Sequence, residues 1–588
     1  MSHLGLLWLA ACVPGLAPDD LPSNPDHDHD GDGFVESPAA ASGGDCDDGD
    51  ASVFPGAQET CDELDQDCDG RVDEEALDAS TLFLDEDQDG HGTDATTVQA
   101  CQVAQGYAEL AGDCDDDDGD VNPDAAEICE DGVDNDCDGV HWCELDEGVQ
   151  LLTGERPDDH AGTGLALGGD LDGDGHEDLV VGAPENDGDS TLNTTNYGAT
   201  YVFYGPLSVD EDLSLGQADH RLLGVELGRA GTELAIVGDV DGGGLPDLLV
   251  GAPGPGASAD EARAHLVLSE TLGFEDQLQA HLTWTALTAD AEGAGAAVSG
   301  GGHLDDDDLP ELLVGSESAL SVPGVAWLIW GADATESGTL NDRGVRLVGS
   351  NDGDKAGTAV RALGDIDGDG LDDIAIGAQR WGTDEAGAVF LVLGDDLRDR
   401  VAGQSFALDD AIRLNGPAAG SRYGGAISTS WDVSGDGLVD FFVGAAGYDD
   451  GDAEVGSATL ILGRSSGADP GADTVISGTD DGQSFGAALD LDDLDGDGVP
   501  DLIVGAPARG SSAIDGGAYV HLGPVGALGR QTANQADWRH TESPAGSEAG
   551  ASVALIHGLL GEGATLVMGL PRRSVLDSDA GGVVVVPY

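Results

Sequence analysis

The stretch Asp170-Leu171-Asp172-Gly173-Asp174-Gly175-His176-Glu177-Asp178-Leu179-Val180-Val181-Gly182-Ala183-Pro184 decides how most of the chain is read. Carboxylates at positions 1, 3, 5 and 9, with the carbonyl of His176 at position 7, supply an oxygen shell for one hard cation, and glycine at position 6 permits the sharp turn. The apolar run from Leu179 has the length and β-branched content of a buried strand. Loop and strand recur together at intervals of roughly 60 to 70 residues, as in a repeat architecture. The copies begin at Asp170, Asp239, His303, Asp365, Asp432, Asp493 and, much degraded, near Gly558.

Each strand ends in Gly plus a small or apolar residue: Gly251-Ala-Pro253, Gly315-Ser316, Gly377-Ala378, Gly444-Ala445, Gly505-Ala-Pro507 and Gly569-Leu-Pro571 follow Gly182. A further short strand starts at Ala199, Ala264, Ala326, Ala388, Ala458, Ala518 and Val583, and another β-prone run lies near Leu151, Leu222, Leu282, Leu347, Leu414, Ile476 and Arg539. With the run before each acidic loop, every unit has four short strands, which is one propeller blade. The run Val149-Gln-Leu-Leu-Thr-Gly154 precedes the first loop, and the last unit ends at Tyr588 without such a strand. The N-terminal strand therefore completes the last blade and removes an exposed sheet edge. The expected fold is all-β, a seven-bladed β-propeller over residues 146–588, preceded by a small disulfide-rich, Asp-rich segment.

Three literal Gly-Ala-Pro triplets, at Gly182, Gly251 and Gly505, with Phe485-Gly486 and the close variant Tyr423-Gly424, resemble the FG-GAP repeats of integrin α-subunits and related bacterial surface proteins. The resemblance implies a calcium-stabilised propeller and protein or matrix-like ligands.

Four loops keep the ligand set: Asp170, Asp172, Asp174 and Asp178 with His176; Asp365, Asp367, Asp369 and Asp373; Asp432, Ser434, Asp436 and Asp440; Asp493, Asp495, Asp497 and Asp501. The second copy retains Asp239, Asp241 and Asp247 but has Gly243 at position 5. The third retains Asp305 and Asp307, with His303 in place of the first carboxylate and Asp308 where glycine is expected. Asp-Gly pairs alone make good hairpin turns, but the repeated spacing of aspartates points to several calcium ions with a structural role.

Residues 26–145 read as two copies of one unit. Asp45-Cys46-Asp47-Asp48, Cys61 and Asp65-Gln-Asp67-Cys68-Asp69-Gly70 return as Asp113-Cys114-Asp115-Asp116, Cys129 and Asp134-Asn-Asp136-Cys137-Asp138-Gly139. Each copy opens on an acidic loop, Asp28/Asp30/Asp32 and Asp85/Asp87/Asp89, and the first closes on Asp73-Glu74-Glu75. This spacing resembles the "putative metal-binding motif" repeats of bacterial secreted proteins, a family named for a copper-binding member. The first copy lacks a counterpart of Cys101, and Trp142-Cys143 replaces the acidic finish. The carboxylate ligands favour calcium. Copper takes imidazole or sulfur and has only His27, His29, His91 and His141 nearby.

The N-terminus is apolar up to Leu9-Ala10-Ala11-Cys12, which resembles a lipobox, although no Lys or Arg precedes it. Residues 1–12 are expected to be an export signal with Cys12 lipidated, an ordinary secretory signal being the alternative, and 13–25 a tether. The other cysteines, Cys46, Cys61, Cys68, Cys101, Cys114, Cys129, Cys137 and Cys143, are even in number and confined to one segment, which in an exported chain implies disulfides of unspecified pairing. A formal charge of −97 disfavours nucleic acid and anionic membranes. No G-x-S-x-G, H-E-x-x-H or phosphate-cradling motif occurs, so a non-enzymatic protein is expected. The leading expectation is a surface or secreted module for adhesion or recognition of a protein or glycan. The alternative is a cation-binding structural envelope protein without a specific partner.

Overall fold

A computed structural model describes residues 28–35, 44–125, 133–137, 143–144 and most of 149–587; within that last range the exceptions are 189–195, 208–212, 255–261, 274–276, 279–280, 287–292, 306, 308, 317–321, 450, 452, 466, 470–473, 509–514, 526–528, 543–546, 561–562 and 574–579. The expectations for residues 1–25, including Cys12, and for His27, Cys129, Asp138, His141, Asp308 and the side chain of Cys143 lie outside the described residues. The described residues fall into two compact units, one built from 28–125 and 133–137 and the other from 143–587.

In the larger unit, apolar runs separated by Gly-rich turns form seven antiparallel meanders among the described residues. The first consists of Leu165–Ala166, Leu179–Ala183, Ala199–Phe203 and His220–Leu223. The others begin with Leu234–Ile236, Ala294–Gly302, Ala356–Gly364, Ala426–Trp431, Ala488–Asp492 and Val553–His557. These first strands neighbour one another in succession, the seventh returning to the first, and all seven line one central cavity. That arrangement is a β-propeller. The seventh sheet is closed by Gln150–Thr153, which pairs antiparallel with Gly582–Pro587 from Gly582↔Thr153 to Val585↔Gln150. Second strands such as Leu179–Ala183 and Asp501–Ala506 are buried at every position, packed between neighbouring sheets.

The glycine ending each second strand has a steric reason. A Cβ on Gly444 would lie within 3.0 Å of the carbonyl oxygen of Gly486 in the next sheet, and one on Gly569 would meet Gly162 in the same way across the ring closure. The facing glycines have left-handed backbone, φ 83° at both Gly486 and Gly162. Repeated between all neighbouring sheets, this backbone contact explains both glycines of the repeat signature.

The structure adds a feature the sequence reading lacked. Two- or three-residue strands run parallel to the outermost strand of several sheets: Leu213–Ser214 on Gln150–Thr153, Gly338–Thr339 on Leu282–Thr285, Ser405–Ala407 on Val345–Val348, and Arg530–Thr532 on Val475–Ser477. Each comes from the following sheet and covers an edge that would otherwise be open.

The smaller unit has a four-stranded sheet built around Ser80–Leu84 and His91–Ala100. Its apolar core is slight, with Val53, Leu82, Ala108 and Val121 buried. Disulfides Cys46–Cys68, Cys61–Cys101 and Cys114–Cys137 restrain it, with Cα–Cα distances of 5.7, 5.3 and 5.7 Å. The first and third are the same bond in the two copies: in each, the N–H of the first cysteine donates to the sulfur of the second at 3.1 Å. No helix among the described residues is long and apolar enough to cross a membrane.

Candidate metal centres

The propeller loops share one internal geometry. Asp170 Oδ1 accepts from the N–H groups of Gly173 and Asp174 at 2.6 and 3.0 Å, and Oδ2 from Gly175 at 2.8 Å. Asp172 and Asp174 each accept one N–H through Oδ1, from Asp174 and His176 respectively. Asp365, Asp432 and Asp493 organise their loops in the same way. Ligand oxygens of Asp170, Asp172 and Asp178 come within 4.8 Å of one another, as a single ion requires.

Position 9 has a second role that spacing did not reveal. Asp178 is fully buried; Oδ2 accepts from Leu171 N–H at 2.7 Å and Oδ1 from Gly205 N–H at 2.9 Å. Asp247, Asp373, Asp440 and Asp501 repeat the pair of bonds, tying the loop to the end of the third strand or the turn after it. Burial pushes Asp178, Asp247 and Asp501 up to about 6 and Asp373 to about 7, and raises Asp440; neighbouring loop aspartates add to the rise, while the backbone donors oppose it. An unoccupied loop thus resists full ionisation, and a cation would restore it.

The degenerate copies differ. In the second, Glu270 follows the third strand and places Oε1 within 3.0 Å of where a Cβ on Gly243 would be, beside Asp241 Oδ1 at 2.8 Å from the same point. It thereby occupies the space of the missing position-5 carboxylate, and Asp239 Oδ1 is buried without a hydrogen-bond partner. In the third, Asp305 and Asp307 keep the turn, and Glu311 stands at position 9, accepting from Leu304 N–H at 2.7 Å with Oε1 unpartnered. Burial pushes Glu311 to about 8. In the seventh, Gly558 N–H bonds directly to Gly563 carbonyl at 2.9 Å.

In the smaller unit, each acidic loop gathers a partner from its own Asp-Cys-Asp-Asp segment. Asp28, Asp30 and Asp32 lie close enough to share an ion, as do Asp85, Asp87 and Asp89. Asp45 joins the first group and Asp113 the second; burial raises both, with Asp30 and Asp32, or Asp87 and Asp89, adding to it. The Oδ2 atoms of Asp30, Asp32 and Asp45, and of Asp87, Asp89 and Asp113, are buried without hydrogen-bond partners. Asp48 and Asp116 pin the loops through backbone bonds from His29 and Glu86. A further cluster joins Glu59, Asp65 and Asp67 to Asp69 and Glu74, whose two oxygens are also buried and unpartnered. Asp73 accepts instead from the N–H groups of Asp62 and Glu63, so Glu74 takes the place expected for it. Asp134 and Asp136 lie in the loop closed by Cys114–Cys137. Buried orphan oxygens fit a hard cation. Six of the cysteines are bonded to one another and offer no thiolate for copper.

Comparison with known proteins agrees with this geometry. The family model described as "FG-GAP repeat" matches residues 161–203, 356–392 and 485–521, and that described as "Putative metal-binding motif" matches 45–74 and 113–141. The chain carries FG-GAP repeats and two metal-binding motifs. Human phosphatidylinositol-glycan-specific phospholipase D is 28% identical over 419 residues, 63% of this chain and 46% of that protein. The mouse protein of the same name is 26% identical over 426 residues, covering 63% and 47%. Human integrin alpha-IIb is 32% identical over 178 residues, 30% of this chain and 16% of the integrin. The chain spans about half the length of the phospholipase D relatives it matches.

The expectation of a non-enzymatic protein is therefore corrected: relatives matching 63% of this FG-GAP chain are enzymes. That expectation rested on missing linear motifs, and catalytic groups brought together from distant parts of a chain leave none. FG-GAP repeats together with disulfides are features of an extracellular or surface protein.

Proposed function

We propose that this chain is a calcium-binding protein of the cell exterior whose propeller, stiffened by ions in its loops, recognises a protein or glycan ligand. The observation that carries the calcium reading is the set of carboxylate cages, with buried, unpartnered oxygens in the smaller unit and with Asp170, Asp172 and Asp178 close enough to share an ion in the propeller. Flexible carboxylate and carbonyl ligands suit calcium better than magnesium, which demands a near-ideal octahedron and keeps several waters. Recognition is supported by the architecture, in which a rigid ring carries loops that are free to vary, and by the similarity to integrin α-subunits.

Calorimetric titration with calcium, copper and magnesium after chelation tests the ion; copper binding in preference to calcium would sink the reading. A screen against surface glycans and envelope proteins, with and without calcium, tests recognition. Failure to find a partner would favour a structural cation-binding protein. Lipid anchoring at Cys12 belongs to the same reading, and palmitate labelling lost in Cys12→Ser tests it.

A second reading draws on the phospholipase D similarity, in which the chain takes part in hydrolysis at a phosphatidylinositol-glycan. Release of a glycan-anchored reporter from membranes by the purified chain tests it, and no release above the buffer rate would count against it.

A further inference from the structure

We propose that the central channel of the propeller binds a small zwitterion, its ammonium group facing Glu233 and its acid group facing Arg361. The channel is a cavity of about 590 Å³ lined by the first strands of all seven sheets, within the size range of small-molecule sites. Much of its wall is small: Ala166, Ala235, Ser299, Ala359, Ala426 and Ala488 leave the lumen open. Four charged residues line it: Glu233, Arg361 and Asp490, from three different sheets, and Asp492, whose Oδ2 lies 3.5 Å from His557 Nε2.

Their partners are unequal. Asp490 is satisfied by the protein, accepting from Thr429 Oγ1 at 2.7 Å, Leu491 N–H at 3.0 Å and Leu555 N–H at 3.1 Å. Arg361 donates through Nε and Nη2 to the Ile427 carbonyl at 3.3 and 3.2 Å, which leaves Nη1 for another acceptor. The Glu233 carboxylate has no hydrogen bond from any described residue, and no ion pair within 4.0 Å joins Arg361 to Glu233 or Asp490. Burial raises Glu233 to about 7 and raises Asp490, and Arg361 opposes the rise of both through space.

Arg361 and Asp490 offset one another, and Asp492 faces His557 and accepts from Asp493 N–H at 2.9 Å, so Glu233 is the lining carboxylate left without a partner, beside a guanidinium edge with donors to spare. A ligand bearing an ammonium and an acid group satisfies both; an amine alone leaves Arg361 unfilled, and an anion alone faces Glu233. A carboxylate or a phosphate would serve equally as the acid.

The test is calorimetric titration of the full chain in calcium with glycine, 4-aminobutanoate and ethanolamine phosphate as zwitterions, and ethylamine and acetate as single-charge probes. At least one zwitterion should bind about tenfold or more tighter than either single-charge probe, since a charge-assisted hydrogen bond contributes that much. Whether the amino acids or ethanolamine phosphate bind identifies the acid group. Glu233→Gln and Arg361→Met should each weaken binding about tenfold or more in protein that remains folded by circular dichroism. Should either fail to fold, Glu233→Asp or Arg361→Lys replaces it with the same expectation, because each draws its charge back from the lumen. The proposal is overturned if no zwitterion binds, if binding survives the substitutions, or if ethylamine or acetate binds as tightly.

Discussion

Replacing Gly444 by alanine tests the glycine contact between neighbouring sheets. Gly444 has an ordinary φ, so alanine adds no backbone strain, only a methyl group. That methyl would meet the Gly486 carbonyl oxygen inside 3.0 Å, the Gly486 carbonyl carbon at 3.1 Å and Ala426 Cβ at 3.3 Å. Two of these atoms are backbone of the next sheet, and Gly486 is itself held by its N–H bond to Gly505 carbonyl at 3.1 Å. No rotamer change relieves the overlap, and a sheet must shift. Overpacking of this kind costs about 3 kcal/mol, at the top of the usual range. A unit of about 440 residues has an unfolding entropy near 0.9 kcal/mol/K, so the melting temperature should fall by about 3 °C. Differential scanning calorimetry in saturating calcium resolves such a shift. Gly425→Ala is the control: its Cβ would find nothing nearer than Arg422 carbonyl at 3.3 Å, and its φ is also ordinary. If Gly444→Ala melts no lower than Gly425→Ala, the sheets are not held by glycine contact and the explanation of the repeat signature is wrong.

Glu270→Gln should remove one calcium from the titration stoichiometry, or weaken that site about tenfold or more through the lost ligand charge, leaving the other loops unchanged; an unaltered isotherm would mean that Glu270 merely fills space. Asp45→Asn and Asp113→Asn should each eliminate one ion from the smaller unit without disturbing its disulfides, read by native mass spectrometry. The position-9 acids give a pH dependence whose sign depends on the cation. Without it their folded-state values, raised to about 6 to 8, exceed the unfolded ones. Protons then bind the folded state more strongly, and stability falls as pH rises from about 4 through that window. Saturating calcium should abolish or reverse the slope, and an identical slope with and without the ion would refute ligation at these residues.

Much of this architecture was legible because the repeat restates itself. A single Asp-x-Asp-x-Asp-Gly could be a turn, but the recurrence of loop, apolar run and glycine identified the strands and the closing strand Gln150–Thr153. What escaped was carried by proximity rather than by spacing. Glu270 lies 27 residues beyond the gap at Gly243 that it fills. Asp45 was visible as part of a cysteine motif, but nothing linear ties it to Asp30 and Asp32 across residues 36–43. The short parallel strands, at two or three residues, are below the length at which a period registers. Position 9 was read only as a ligand because two backbone bonds to a buried carboxylate leave no trace in sequence.

These features bear on what the ions do. If they held the ring together, the copies that lost ligands should be its weak points. Yet the third loop keeps its buried anchor through Glu311, and the seventh substitutes a direct bond between Gly558 and Gly563. The glycine contacts persist at every junction, including those beside the degenerate copies, where Gly251 faces Gly295, Gly315 faces Gly357 and Gly569 faces Gly162. Closure therefore rests on backbone packing and the N-terminal strand. Cations held in the loops would act one level down, neutralising carboxylates that burial and mutual repulsion otherwise leave partly protonated, and fixing the loops that keep their ligands. Chelation should accordingly loosen loops before it opens the ring, so hydrogen exchange in EDTA should rise first at 170–178, 365–373, 432–440 and 493–501 and last in the second strands. Simultaneous exchange of loops and second strands would place the ions in the closure itself and refute this division of labour.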